Sequence, residues 1–242
     1  MMHAVMSKTM LKRIITLAGI VSEDVLNIQY MKEGWKVEKV DAAHVAMIYI
    51  MVGKEVMDDY SLDFATENDC RTQIPMRKLS EALSTMIDDT PISLTDDGTF
   101  VAVDCGKIHR RIRKHGEYET SRIPELNNPC SIKIDINEIL AMVSKGISIS
   151  DHIMISCGHD GLKILLQGDT ESASYEDQEN VSPDGEDYKS SFPLDYLTTA
   201  LKAFGGEVIF ELANDYPLKI MAMTPFPSTY LLAPRVEESD GE

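Results

Sequence analysis

The chain has 242 residues, 43% of them hydrophobic, which is enough apolar material for one or two cored domains. No apolar run approaches the ~20 residues of a membrane-spanning helix, and MMHAVMSKTMLKR lacks a signal-peptide pattern, so the reading is a soluble, cytoplasmic protein. A formal charge of −17, from 23 Lys and Arg against 40 Asp and Glu, argues against a protein that grips nucleic acid by neutralising its phosphates.

In chain order, TMLKRIITLAGIV (9–21) spaces its apolar residues as an amphipathic helix. SEDVLNIQYMKEGWKV (22–37) reads as a strand, a turn closing on Gly34 and a second strand. IPMRKLSEAL (74–83) is a short helix with Pro near its first helical position and a buried stripe of Met76, Leu79, Ala82 and Leu83. A hairpin follows: Ile92 and Leu94, a turn at Asp96-Asp97-Gly98, then Val101 and Val103. IHRRIRKH (108–115) is a basic strand candidate, and KHGEYETSRIPELNNP (114–129) is a polar, proline-closed extended connector.

The same order then returns. INEILAMVSKG (136–146) is a helix, and ISDHIMISCGHDGLKI (149–164) is two strands with a turn closing on Gly161. DTESASYEDQENVSPDGEDYK (169–189) is a strand leading into an exposed acidic loop. FPLDYLTTAL (192–201) repeats the apolar frame of the earlier helix as Leu194, Leu197, Ala200 and Leu201, while Arg77, Lys78 and Glu81 become Asp195, Tyr196 and Thr199. Val208, Phe210 and Leu212, a turn at Asn214-Asp215, then Leu218 and Ile220 repeat the hairpin. The chain is therefore two copies of one unit, with expected domains 1–116 and 128–242 joined by a connector at 117–127, and an acidic disordered tail VEESDGE.

Catalytic signatures are missing: GxxxxGK[ST], GxSxG, HExxH and GxGxxG do not occur. His3, His44, His109, His115, His152 and His159 have no metal-ligand spacing, and His44 reads as a partly buried residue at a strand boundary. Cys70, Cys105, Cys130 and Cys157 form no CxxC pair and read as reduced packing residues. The expectation is a non-enzyme without metal or cofactor.

VDAAHVAMI (40–48), IPMRKLSEAL, RIPELNNP (122–129), SDHIMISCGHDGLKILLQGD (150–169), SFPLDYLTTALKA (191–203) and YLLAPRVEE (230–238), in this order and on a two-domain repeat, resemble the archaeal and eukaryotic DNA polymerase sliding clamps, the proliferating cell nuclear antigen family. The resemblance covers essentially the whole chain. It implies an α+β, duplicated DNA-clamp fold, with outer antiparallel sheets and inner helices, closed into a ring of three chains around duplex DNA. It further implies a processivity factor for replication and repair, with DNA polymerase, a clamp loader and other client proteins as partners, working in the cytoplasm at the nucleoid, or in a nucleus. Encirclement needs no tight grip, which reconciles the negative charge with DNA as a partner.

The resemblance places Lys8, Lys12, Arg13, Arg77 and Lys78 on DNA-facing helices, with only Lys145 and Lys202 in the second half, where Glu138 and Asp195 stand among them. DNA contact should thus be lopsided and weak. Arg110, Arg111, Arg113 and Lys114 fall on the strand that meets a neighbouring chain in the family, and Glu171, Glu176, Asp177 and Glu179 on its counterpart, a basic edge facing an acidic one. The client-peptide pocket is implied at Val40, His44 and Val45, at Ile123, Pro124 and Leu126 of the connector, and at Ala233, Pro234 and Arg235, combining apolar surface with backbone open to strand addition. Competing readings are a subunit of a heteromeric or checkpoint-type clamp, and an acidic interaction scaffold that does not encircle DNA.

Overall fold

The computed structural model describes residues 1–63, 70–116, 118 and 121–235. The chain forms two compact units, one of Met1–Arg122 with Met223–Ser228, the other of Ile123–Ala222 with the segment from Thr229 onward. The acidic tail expected at 236–242 lies outside the described residues.

The first unit opens with β1 (Met2–Met6) and α1 (Lys8–Gly19), followed by β2 (Val25–Met31), β3 (Gly34–Val40), β4 (Ala46–Gly53), β5 (Asp59–Leu62) and β6 (Arg71–Pro75). Helix α2 (Met76–Ser84) then leads to β7 (Ile92–Asp96), β8 (Phe100–Cys105) and β9 (Ile108–Arg113). One sheet runs β5-β1-β7-β8-β9, and β4, β3, β2 and β6 are successive neighbours in another. All pairings given by register are antiparallel.

The second unit repeats this order: β10 (Cys130–Asp135), α3 (Ile136–Lys145), β11 (His152–Gly158), β12 (Gly161–Gln167), β13 (Ser172–Asp177), β14 (Tyr188–Pro193), α4 (Leu194–Phe204), β15 (Glu207–Leu212), β16 (Leu218–Ala222) and β17 (Ser228–Leu232). Its strands order as β13-β12-β11-β14 and as β10-β15-β16-β17, the same sequence of neighbours as β4-β3-β2-β6 and β1-β7-β8-β9. Only β5 lacks a counterpart among the described residues.

The helices form where the stripes predict them. Met76, Leu79, Ala82 and Leu83 are buried in α2, and Leu194, Leu197, Ala200 and Leu201 in α4. Each large apolar side chain among them contributes about 1.5–3 kcal/mol of burial, so copying these positions preserves the docking of helix on sheet. The prolines stand beside the first helical positions, as expected: Pro75 and Pro193 are the N-caps that end β6 and β14 directly before Met76 and Leu194. Ser7 caps α1 by accepting from the Met10 N–H at 3.1 Å, and Asp135 caps α3 by accepting from Asn137 N–H at 3.0 Å.

Gly34 and Gly161 occupy equivalent hairpins at φ +137° and +106°. A Cβ would stand 2.1 Å from Val52 O at the first and 2.3 Å from Asp177 O at the second, so both conformation and space demand glycine. No helix among the described residues is long and apolar enough to cross a membrane.

Candidate functional site

The cations expected on the inner helices have unequal fates. Lys12 is exposed on α1 and Arg13 is half-buried, its guanidinium pKa lowered by desolvation. Lys8 departs from the expectation: it is 8% exposed, and its ammonium donates to Met86 O at 2.6 Å and to Asp88 at 2.7 Å. The first turn of α1 sends this side chain inward, where those acceptors compensate its charge. Arg77 and Lys78 are exposed on α2 but share one carboxylate, Glu81, at 3.4 Å each. In the second unit Lys145 and Lys202 are exposed. Glu138 of α3 accepts from the Tyr175 hydroxyl of β13 at 2.5 Å, and that hydrogen bond, with burial, pushes the Tyr175 phenol up to about 12.

The strands expected to carry assembly both end their sheets: β9 in the order β5-β1-β7-β8-β9, and β13 in β13-β12-β11-β14. On β9, Arg110, Arg111 and Arg113 are exposed. Arg111 lies 3.0 Å from Asp97 and stacks its guanidinium 4.5 Å from the Phe100 ring centroid. A hollow of about 440 Å³ between α2 and β9 is lined by Lys78, Glu81, Arg110, Arg111 and Arg113 together with Pro75, Ala82 and Ile112. Lys114 departs from the expectation of an exposed edge charge: it is half-buried, and its ammonium sits 3.1 Å from the fully buried Asp96. On the acidic side Glu171 and Glu179 are exposed, Glu176 pairs with Lys163 at 2.7 Å, and Asp177 accepts from Glu179 N–H and the Asn180 amide. Those last two bonds hold the Asp177 carboxyl below the usual carboxylate range.

Val40 ends β3 and is half-buried, as is Val45. The loop between β3 and β4 is built by Asp41, whose Oδ1 accepts from Val45 N–H at 2.7 Å and Ala46 N–H at 2.8 Å, while His44 N–H donates to Asp41 O at 3.1 Å. His44 itself is exposed at φ +58°, not partly buried, because the tight turn points it away from the strands. In the second unit Ile123 and Leu126 are half-buried and Pro124 exposed, and Asn128 donates to Glu211 O at 2.6 Å and Pro217 O at 2.8 Å. Ala233 and Pro234 are half-buried. Arg235 N–H donates to Ser191 O at 2.7 Å, and its guanidinium to Asp151 at 2.7 Å. Hydrogen bonds from His152 and Arg235 hold the Asp151 carboxyl down at about 2.

Sequence reasoning missed a set of fasteners in the first unit. His115 N–H donates to Gln73 O at 2.9 Å, the Arg71 guanidinium to Tyr118 O at 3.1 Å, and Ser121 N–H to Glu38 Oε1 at 3.0 Å. The chain leaving β9 is thereby tied first to β6 and then to β3. The only sequence signal was Glu38, the one acidic residue in the strand-like run Gly34–Val40. All four cysteines are buried and none is in a disulfide. Among the described residues no group of three or more His, Cys, Asp or Glu side chains is arranged to hold a metal.

No family model matches the chain. It is 25% identical over 251 residues to the DNA polymerase sliding clamp of Archaeoglobus fulgidus, covering 98% of this chain and 99% of that one. It is 27% identical to the clamp of Methanosarcina acetivorans at 98% and 99% coverage, and 28% identical to that of Methanobrevibacter smithii at 93% of both. Among solved structures it superposes on the clamp chain of the C-terminal region of FEN-1 bound to A. fulgidus PCNA, with TM-score 0.86, 22% identity and coverage of 98% and 99%. The chain resembles the DNA polymerase sliding clamps throughout, and it has their fold. The PCNA of Thermococcus kodakaraensis matches with TM-score 0.85 at 16% identity, covering 97% of this chain and all of that one. A common backbone at such low identity means that the repeated helix and strand frame is kept while much of the remaining sequence has been rewritten.

Proposed function

We propose that this protein is a sliding clamp: three chains close into a ring around duplex DNA and tether DNA polymerase and other replication and repair enzymes to the template. The observation that carries the reading is the end-to-end likeness, in sequence and in fold, to archaeal DNA polymerase sliding clamps. The ring holds DNA by topology, which suits a chain of formal charge −17 whose helix cations are few and partly neutralised. The protein contributes no catalysis of its own; it works wherever the chromosome is replicated.

Two domains, 1–116 and 128–242, are joined by a connector at 117–127. Ring closure pairs the basic end strand β9 of one chain with the acidic end strand β13 of the next. Both strands end their sheets, and Arg110, Arg111 and Arg113 complement Glu171, Glu176, Asp177 and Glu179 in charge. Client proteins dock a short peptide on Val40, His44 and Val45, on Ile123, Pro124 and Leu126, and on Ala233, Pro234 and Arg235. Support for a peptide client comes from the superposed A. fulgidus PCNA, to which the C-terminal region of FEN-1 is bound.

The test is native mass by light scattering across a salt series. Three chain masses at low salt, falling toward one as salt rises, supports a homotrimer closed by charged edges. A single-chain mass at every salt concentration overturns the homotrimer and redirects the reading to a heteromeric clamp.

A further inference from the structure

Strand β3 alternates its faces. Trp35, Val37 and Lys39 point to one side, where Lys39 meets Met76 of α2 at 3.7 Å, and Lys36, Glu38 and Val40 point to the other. On that second face Tyr49 stands opposite Glu38, and Met47 opposite Val40, in the register of β3 with β4. Three described residues after β9 are fastened to this sheet: His115 at Gln73, Tyr118 at Arg71 and Ser121 at Glu38. The last fastener differs from the others in kind. Glu38 is 1% exposed, an expensive place for a carboxylate unless its charge and lone pairs are used. One oxygen accepts from Ser121 N–H at 3.0 Å. The other lies 2.8 Å from Lys36 Nζ, an ion pair whose angles fall outside hydrogen-bond geometry. Lys36 in turn sits 5.7 Å from the Tyr49 ring centroid. Tyr118, which precedes this point, is 8% exposed, and its hydroxyl is buried with no hydrogen-bond partner among the described residues. Burial, and then the Glu38 charge, raise that phenol's pKa.

We infer that Glu38 is a positioning residue for the connector: its buried carboxylate fixes the backbone at Ser121, two residues before Ile123, and so sets where the client-binding segment begins. Glu38 lies on the same strand face as Val40, two positions away, so one rigid strand carries both the fastener and an expected client contact. A connector held at its root enters peptide binding with less disorder to lose, and affinity rises accordingly. This inference rests on the client-docking part of the proposed function.

The experiment uses the full chain, a peptide of the C-terminal region of FEN-1, calorimetric titration, and amide hydrogen exchange over 121–126. Glu38→Ala is expected to weaken the peptide about tenfold, the loss of one charge-assisted hydrogen bond, and to speed exchange at Ser121 and Ile123. Glu38→Gln keeps an acceptor oxygen and should restore both readouts, which a purely electrostatic role would not do. Ser121→Pro removes the donor while leaving the Lys36 pair in place, and should reproduce the Glu38→Ala affinity loss even if Glu38→Ala fails to fold. Unchanged affinity in Glu38→Ala and Ser121→Pro, with exchange unchanged at Ser121 in Glu38→Ala and at Ile123 in both, and with the wild type binding normally, overturns the inference. A wild type that does not bind the peptide defeats the client reading instead; exchange alone then decides, and equal rates in wild type and variants overturn the positioning role.

Discussion

Lys114 places its ammonium 3.1 Å from both carboxylate oxygens of Asp96, a side chain with no exposure to solvent. Asp96 also accepts from Gly98 N–H at 2.8 Å and from the Tyr30 hydroxyl at 3.2 Å, so the pair ties the β7–β8 turn, β2 and the end of β9 together. Burial and Asp96 together raise the Tyr30 phenol well above its ordinary value. Removing one partner of a buried pair leaves the other charge uncompensated. Lys114→Ala should therefore destabilise the chain by about 3–5 kcal/mol in urea denaturation, and Lys114→Ala with Asp96→Asn should recover part of that loss.

Charge reversal on the exposed face of β9, just before Lys114, should act on assembly instead. Arg110 and Arg113 have no ion pair among the described residues, whereas Arg111 is engaged with Asp97 and Phe100. Arg113→Glu should lower the salt concentration at which trimers dissociate while leaving the melting temperature of the single chain essentially unchanged. Trimers indifferent both to this change and to salt would remove the electrostatic account of closure.

Lys39 is 5% exposed, and burial lowers its ammonium pKa to about 8 despite Asp24 and Glu23. The folded pKa lies below the unfolded one, so between about pH 8 and ~10.4 the unfolded chain holds the extra proton and stability rises with pH. Below that window the buried charge costs stability in full. Lys39→Met should raise the melting temperature at neutral pH and flatten the rise across that window, as differential scanning calorimetry would record. A lower melting temperature would mean that the bond from Lys39 to Ser22 O outweighs desolvation.

Binding of the trimer to duplex DNA should show a shallow salt dependence, below about six released counterions per chain, because Lys8 is internally paired and Arg77 and Lys78 share Glu81. Lys12→Ala should reduce the slope. Lys8→Ala should leave the slope unchanged and lower stability, since Met86 O and Asp88 lose their donor. Equal slopes for the wild type and Lys12→Ala would take α1 away from the DNA.

Gly34→Ala and Gly161→Ala should each cost at least about 1–3 kcal/mol from backbone strain alone. The added Cβ at each meets backbone that has no room to retreat. Gly98→Ala is the control: at φ +98° it bears similar strain but meets nothing within 4 Å, so its cost should be the smallest of the three in equilibrium unfolding.

The repeat, the four buried helix stripes and the hairpin glycines were legible in the sequence because each depends on residues a few positions apart. A stripe such as Met76, Leu79, Ala82 and Leu83 needs no knowledge of what lies opposite. The basic run at 108–115 and the acidic run at 171–179 were legible as charged strand candidates, but that they end their sheets was implied only by the resemblance to the sliding clamps. The tertiary structure alone decided which charges remain available. Lys8 is consumed by Asp88, Lys114 by Asp96, and Glu38 by Ser121, partners separated by 80, 18 and 83 positions. No periodicity announces such pairs, and a buried ion is stable only where its counter-charge or hydrogen-bond donor arrives from another segment, so composition could set the sum of the charge while folding determined its use.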